Sequence, residues 1–161
     1  METTATLDQA TDEWVINCPS IQSSKFWPGE IGRISTHAVA MCKTIVNGRP
    51  IGVHPFLVQL RDLNTFQWLP GVETGDLGMK FGLNSLDQGW ARFENVRIPR
   101  RQMLMSLCHV DQNGRVKLQG NPKAMYCSMM LVRNRIVHEM NIRMFEACTI
   151  TLRYAAVRRQ F

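Results

Sequence analysis

From Lys123 to Phe161 the chain contains neither glycine nor proline. Nothing in that stretch breaks a helix. Apolar residues recur there at Met125, Met129, Val132, Ile136, Met140, Met144, Cys148, Leu152 and Ala155. The steps are three or four residues, the spacing of a helical face. Pro122 suits a helix entry, where a missing N–H costs nothing. The spacing therefore predicts a helix from about residue 123, roughly 58 Å long if continuous at about 1.5 Å per residue. Few globular helices are that long, so a break is allowed. A long helix with an apolar stripe beside one small domain is not a self-contained architecture.

Before Pro122 the pattern has a period of two. Glu13–Cys18 follows a polar turn at Asp8–Asp12. His37–Val46 and Ile51–Leu60 flank Asn47-Gly48, a hairpin signal. Trp90–Ile98 alternates and stops at Pro99, and Val110 and Val116–Leu118 flank a turn at Asp111–Gly114. Pro28-Gly29 and Pro70-Gly71 mark loops. The expected fold class is α+β: an antiparallel β-barrel or sandwich over residues 1–121, then a long helix over 122–161.

Composition narrows the function classes. The five cysteines, at 18, 42, 108, 127 and 148, are odd in number and include no C-x-x-C pair. A disulfide framework or zinc site is not expected; five small buried groups in a reducing compartment are. His37, His54, His109 and His138 lack metal-ligand spacing, and His109 with Asp111 reads as a surface pair. No apolar run reaches the roughly 18 residues of a membrane span. The polar, acidic N-terminus has neither the basic nor the apolar region of a secretory signal. Of the net charge of +6, the stretch Arg133–Phe161 supplies +4, from six arginines against Glu139 and Glu146. Such a basic helix suits a polyanion, or it is a solvated face. The aromatic–basic alternation of a nucleic-acid stacking platform is absent, so no nucleic acid is expected.

No local motif assembles a catalytic set, and neither a dinucleotide-binding glycine motif nor a P-loop occurs. Three segments stand out. Lys25-Phe26-Trp27-Pro28-Gly29-Glu30-Ile31-Gly32 puts aromatic rings beside a glycine turn. It could present a flat face to a planar ligand, or it could be a buried turn with an aromatic anchor. Lys80-Phe81-Gly82 leads to Asp87–Arg100, which reads as a loop feeding a scaffold strand. Leu152–Phe161 carries the adjacent pair Arg158-Arg159, able to hold a diphosphate or simply face water.

Taken in order, ETTATLD, KFWPGEIG, GVHPFLVQLRD, LPGVETGDLGMKFG, LDQGWARFENVRIPR and LRYAAVRRQF resemble the acyl-CoA oxidases of the acyl-CoA dehydrogenase superfamily. The resemblance implies the family's middle β-domain followed by the first helix of its C-terminal helical domain. It also implies FAD as cofactor and a fatty acyl-CoA substrate oxidised to the trans-2-enoyl-CoA with hydrogen peroxide formed. A homodimer in the complete protein and a peroxisome, or a related organelle such as a glycosome, are implied as well. A non-catalytic remnant that binds FAD or CoA, or pairs with another subunit, is the alternative.

Residue by residue, the resemblance puts Gly29 on the family's flavin-contacting Pro-Gly turn with Trp27 beside it. Phe26 and Glu30 depart from the family there, which has a second Trp and a Gly. Lys123, Ala124, Met125 and Tyr126 match the segment that opens the helix and lines the acyl-CoA site. Arg133 matches an arginine that meets the CoA portion. Arg158 matches the arginine that reaches the FAD diphosphate, in the family that of a partner subunit, and Phe161 continues that motif. On one continuous helix Arg133 and Arg158 would share a face. No residue here matches the family's catalytic glutamate, so the expectation is a segment that is inactive alone.

Overall fold

The computed structural model describes residues 2–159. The chain divides into two compact units, one ending at Gln119 and the other beginning at Gly120. The first holds ten strands: β1 (Thr4–Asp8), β2 (Glu13–Asn17), β3 (Lys25–Gly29), β4 (His37–Val46), β5 (Arg49–Gln59), β6 (Val72–Asp76), β7 (Gln88–Phe93), β8 (Val96–Pro99), β9 (Cys108–Val110) and β10 (Val116–Leu118). They form a five-stranded sheet in the order β5-β4-β1-β2-β8, a three-stranded sheet β3-β7-β6, and the pair β9-β10. No closed barrel exists among the described residues; of the two forms predicted, the layered one is found.

Alternation explains the core. Along β2 the buried residues are Trp14 and Ile16, along β4 Ala40, Cys42, Thr44 and Val46, along β5 His54, Phe56 and Val58, and along β7 Gly89, Ala91 and Phe93. Both sheets thus contribute their inward faces to one hydrophobic cluster. Trp14, fully buried, meets the Phe56 ring edge-on at 5.2 Å between centroids, and its indole N–H donates to the Arg100 carbonyl at 3.1 Å. Burial pushes the Cys42 thiol up to about 12, so it behaves as a small hydrophobe. At the β4–β5 turn, Asn47 (φ 51°) and Gly48 (φ 72°) take the left-handed conformations of a tight hairpin.

The structure corrects several sequence expectations. The sheet is not wholly antiparallel, because β1 pairs with β4 in parallel. The chain leaves β2, crosses to the second sheet as β3, and returns as β4 along the free edge of β1. The N-terminal stretch is a strand rather than only a polar lead-in, because Ala5 and Leu7 alternate into the core. The strand expected over residues 90–98 is two strands. At Glu94–Asn95 the chain passes from the three-stranded to the five-stranded sheet, with Asn95 at φ 51°. The Glu94 amide donates to Gly71 O and the Asn95 amide to Asn17 Oδ1, which fixes the corner. Asp111 does not serve His109; its carboxylate accepts from the Asn113 and Arg115 amides and closes the β9–β10 turn.

In the second unit a 3-10 turn (Pro122–Tyr126) leads into α1 (Cys127–Val157). The predicted helix thus begins as a tighter turn, because Asn121 Oδ1 accepts from the Lys123 amide and Asn121 O from the Ala124 amide, a local cap that three-residue hydrogen bonding completes. The helix stops at Val157, and Arg158 is extended (ψ 127°). Cys127 and Cys148 are exposed within this unit, against the expectation that all five cysteines are buried; Cys18, Cys42 and Cys108 are.

Replacing Trp14 by Ala should cost about 3–5 kcal/mol, because the cavity would open where the two sheets share their core. Urea unfolding followed by circular dichroism measures it. Trp14→Phe, which keeps the ring but loses the bond to Arg100 O, should cost less.

Candidate functional site

Strand β3 carries the first candidate segment at the edge of the three-stranded sheet. It pairs with β7 through Lys25↔Ala91, Phe26↔Trp90 and Gly29↔Gln88, and the register shifts between Phe26 and Gly29. That irregularity turns the intervening residues out of the ladder. Trp27 has φ 76° and is 48% exposed. Phe26 is 65% exposed, and its ring stands edge-on to that of Trp27 at 6.1 Å. Within this chain neither ring of the turn is buried. Both rings face outward, unlike Trp14 in the core.

Gly29 has open space beside it. A Cβ there would meet nothing nearer than the Asp87 carbonyl, at 4.0 Å. The residue's flank is a free surface bounded by an exposed indole, which fits a flat ring lying against the backbone. Glu30 follows at φ 62°, a left-handed conformation that glycine adopts freely and glutamate does not. The backbone holds it there: its N–H donates to Asp87 O at 2.6 Å, and its carbonyl accepts from the amides of Ile34 at 3.2 Å and Ser35 at 2.9 Å. The glutamate is therefore accommodated at a cost in strain.

The loop beyond Glu30 is clamped on both sides. Arg33 Nε pairs with Asp76 Oδ2 at 2.8 Å. The Arg33 carbonyl accepts from Arg61, whose guanidinium also donates to Phe66 O and stacks 3.3 Å from the Trp68 ring centroid. Sequence reasoning missed three further participants, Gly32, Gly75 and Gly89. Their signal was glycine inside or beside a strand, a mark of close backbone approach.

The helical unit holds the other expected residues. Lys123, Ala124, Met125 and Tyr126 all lie in the 3-10 turn, so they sit together at the start of α1. Arg133 lies four residues after Met129, three before Ile136 and seven before Met140, so it shares their face. It makes no ion pair among the described residues, whereas Arg135 pairs with Glu139 and Arg143 with Glu146, each at 2.9 Å. A cation centred among apolar residues calls for an anion if that face is covered. Arg158 is the C-cap of α1: its φ of −74° keeps it on the last turn of the helix that carries Arg133, and only its ψ of 127° departs from helical geometry. Its amide still bonds to Tyr154 O at 2.9 Å, and its guanidinium lies 5.5 Å from the Tyr154 ring centroid. No carboxylate engages Arg158 among the described residues, so its donors remain available to a phosphate. Phe161 lies outside the described residues.

Comparison with known proteins identifies the family. The acyl-CoA oxidase C-alpha1 domain family matches residues 126–161. The peroxisomal acyl-coenzyme A oxidase 1 of Arabidopsis thaliana is 46% identical, aligned over 100% of this chain and 25% of its own. A crystal structure of an acyl-CoA oxidase from tomato superposes with a TM-score of 0.92 at 48% identity, over 99% of this chain and 25% of that one. The Caenorhabditis elegans acyl-CoA oxidase-2, solved with FAD, an ascaroside-CoA and ATP bound, gives 0.92 at 37% identity over 99% and 24%. The chain belongs to the acyl-CoA oxidases and spans about a quarter of the length of the relatives it matches.

Glu30→Gly should stabilise the β-unit by about 1 kcal/mol, through relief of the left-handed strain offset by the freer unfolded chain. A higher thermal midpoint by calorimetry checks it; Glu30→Ala, which keeps the strain, should give no such gain.

Proposed function

We propose that this chain is the β-domain and first C-terminal helix of a peroxisomal, FAD-dependent acyl-CoA oxidase. The reaction in that reading converts a fatty acyl-CoA to its trans-2-enoyl-CoA and yields hydrogen peroxide. The observation that carries it is the exposed Trp27-Pro28-Gly29 turn with open space beside Gly29, in a chain that aligns over its whole length with such enzymes.

FAD, when bound, supplies the acceptor for the substrate's β-hydride. Gly29 and Trp27 would hold the flat ring, Gly29 by letting backbone approach and Trp27 by its exposed indole. Arg158 would hold a phosphate by charge-assisted hydrogen bonds, and Phe161 would extend the same contact. In a homodimer, as the resemblance implies, that phosphate belongs to the neighbouring subunit's cofactor. Lys123, Ala124, Met125 and Tyr126 would line the acyl-CoA site at the start of the helix. Arg133 would meet the CoA portion, whose phosphates answer the need of an unpaired cation on an apolar face. These residues bind and orient; none of them is placed to remove the substrate's α-proton.

Two measurements test the reading. In a full-length acyl-CoA oxidase carrying this segment in place of its own, Arg158→Ala should weaken FAD retention by about ten-fold or more, the scale of one charged hydrogen bond. Unchanged FAD affinity removes Arg158 from the site. The 161-residue chain alone, given FAD and a long-chain acyl-CoA, should form no peroxide above a protein-free control, because a positioned base is required. Steady turnover would mean that a carboxylate in this chain acts as that base.

A further inference from the structure

Three glycines meet where the loop after the Pro28-Gly29 turn crosses the β6–β7 pair. A Cβ on Gly89 would lie 2.4 Å from the Gly75 carbonyl and 2.8 Å from the Gly32 amide nitrogen. A Cβ on Gly32 would lie 3.0 Å from the Asp76 backbone and from Gly75 O. A Cβ on Gly75 would lie 2.5 Å from the Trp90 indole nitrogen. The positive-φ glycines of the chain are Gly48, Gly52, Gly71, Gly78, Gly114 and Gly120, so none of these three is present for its dihedrals. Only proximity explains them: at Gly32 and Gly89 the loop backbone lies directly on the strand backbone, and at Gly75 the Trp90 indole takes the space.

The crossing is one rigid step from the turn. Gly29 pairs with Gln88, the residue before Gly89. The Glu30 amide bonds to Asp87 O at 2.6 Å, two residues before Gly89. Ile31, next to Gly32, is buried. Nothing soft separates the crossing from the Trp27 ring, so the height of the loop above β6–β7 sets where the indole and the Gly29 flank stand.

We infer that Gly32 and Gly89 are positioning residues, whose lack of side chains sets the placement of the Trp27–Gly29 turn and thereby the seat of the flavin. The flavin clause rests on the function proposed above; the placement of the turn does not. Substituting a methyl group at Gly32 would lift the loop by a few tenths of an ångström or more. At Gly89 the clash is with backbone on two sides, so the displacement is larger and can reach the strand pairing itself. Gly32→Ala is therefore the discriminating variant, and Gly82→Ala, with nothing within 4 Å, is the control.

The test has two arms. In the 161-residue chain, amide hydrogen exchange is read residue by residue. Gly32→Ala should speed exchange at Glu30 and Ser35 by about ten-fold or more, while Lys43 and Cys18, bonded to Thr3 O and Phe93 O, stay as they were. Gly82→Ala should change none of the four. Unaltered exchange at Glu30 and Ser35, or equal acceleration at all four amides, overturns the positioning role. In the full-length oxidase carrying this segment, Gly32→Ala should shift the flavin absorption bands and weaken FAD binding about ten-fold, with Trp27→Ala weakening it too. FAD binding and spectrum unchanged by Gly32→Ala but lost with Trp27→Ala overturns the inference and leaves the flavin reading standing. Unchanged by both, they overturn the flavin reading itself.

Discussion

The β-unit depends on one chain transfer. At Glu94–Asn95 the polypeptide passes from the three-stranded to the five-stranded sheet, and the hydrophobic cluster draws on both of the sheets that this corner joins. Phe93 on one side and Val96 on the other are both in the core. The corner cannot slide, because a one-residue slip would turn Ala91 and Phe93, or Val96 and Ile98, to solvent. Backbone bonds at Gly71 and Cys18 and the Asn95 amide's bond to Asn17 Oδ1 add direction to what hydrophobic burial demands.

With the sheets fixed by their shared core, the edge strand β3 is free to do something else. Lys25, Phe26 and Gly29 stay on the ladder, and Trp27 and Pro28 between them leave it through an irregular register. Two left-handed non-glycine residues, Trp27 and Glu30, bracket the departure. Such strain persists only where the surroundings over-determine it, and here the Asp87 carbonyl, the Arg33–Asp76 pair and the glycine crossing do so. The exposed rings of Phe26 and Trp27 thus stand on a rigid support. A surface that costs strain to build and leaves two aromatics bare is the kind that a ligand covers.

The helical unit poses the opposite problem. Its backbone is satisfied internally, but its apolar residues occupy more of the surface than one stripe: Met130, Leu131, Val137 and Phe145 are exposed beside the expected Met129, Ile136, Met140 and Met144. A helix apolar on several sides is one that other helices surround. The ion pairs Arg135–Glu139 and Arg143–Glu146 mark its polar side, and Arg133, which makes no ion pair among the described residues, lies among apolar neighbours on the other.

The sequence alone determined the elements whose signals are local. Period two over His37–Val46 reproduces β4 to the residue, Asn47-Gly48 makes its hairpin, and the glycine-free, proline-free stretch from Lys123 is helical nearly to its end. The ordered motifs likewise disclosed the family. Tertiary structure decided what depends on residues distant in sequence. The parallel pairing of β1 with β4 needs β3 to lie in another sheet, and no local pattern records that. The break at Asn95 is invisible because Trp90–Ile98 keeps its alternation across a corner between two sheets. The outward stance of Trp27 follows from its left-handed backbone, and the glycines at 32, 75 and 89 acquire meaning only when three separate segments are brought within van der Waals contact.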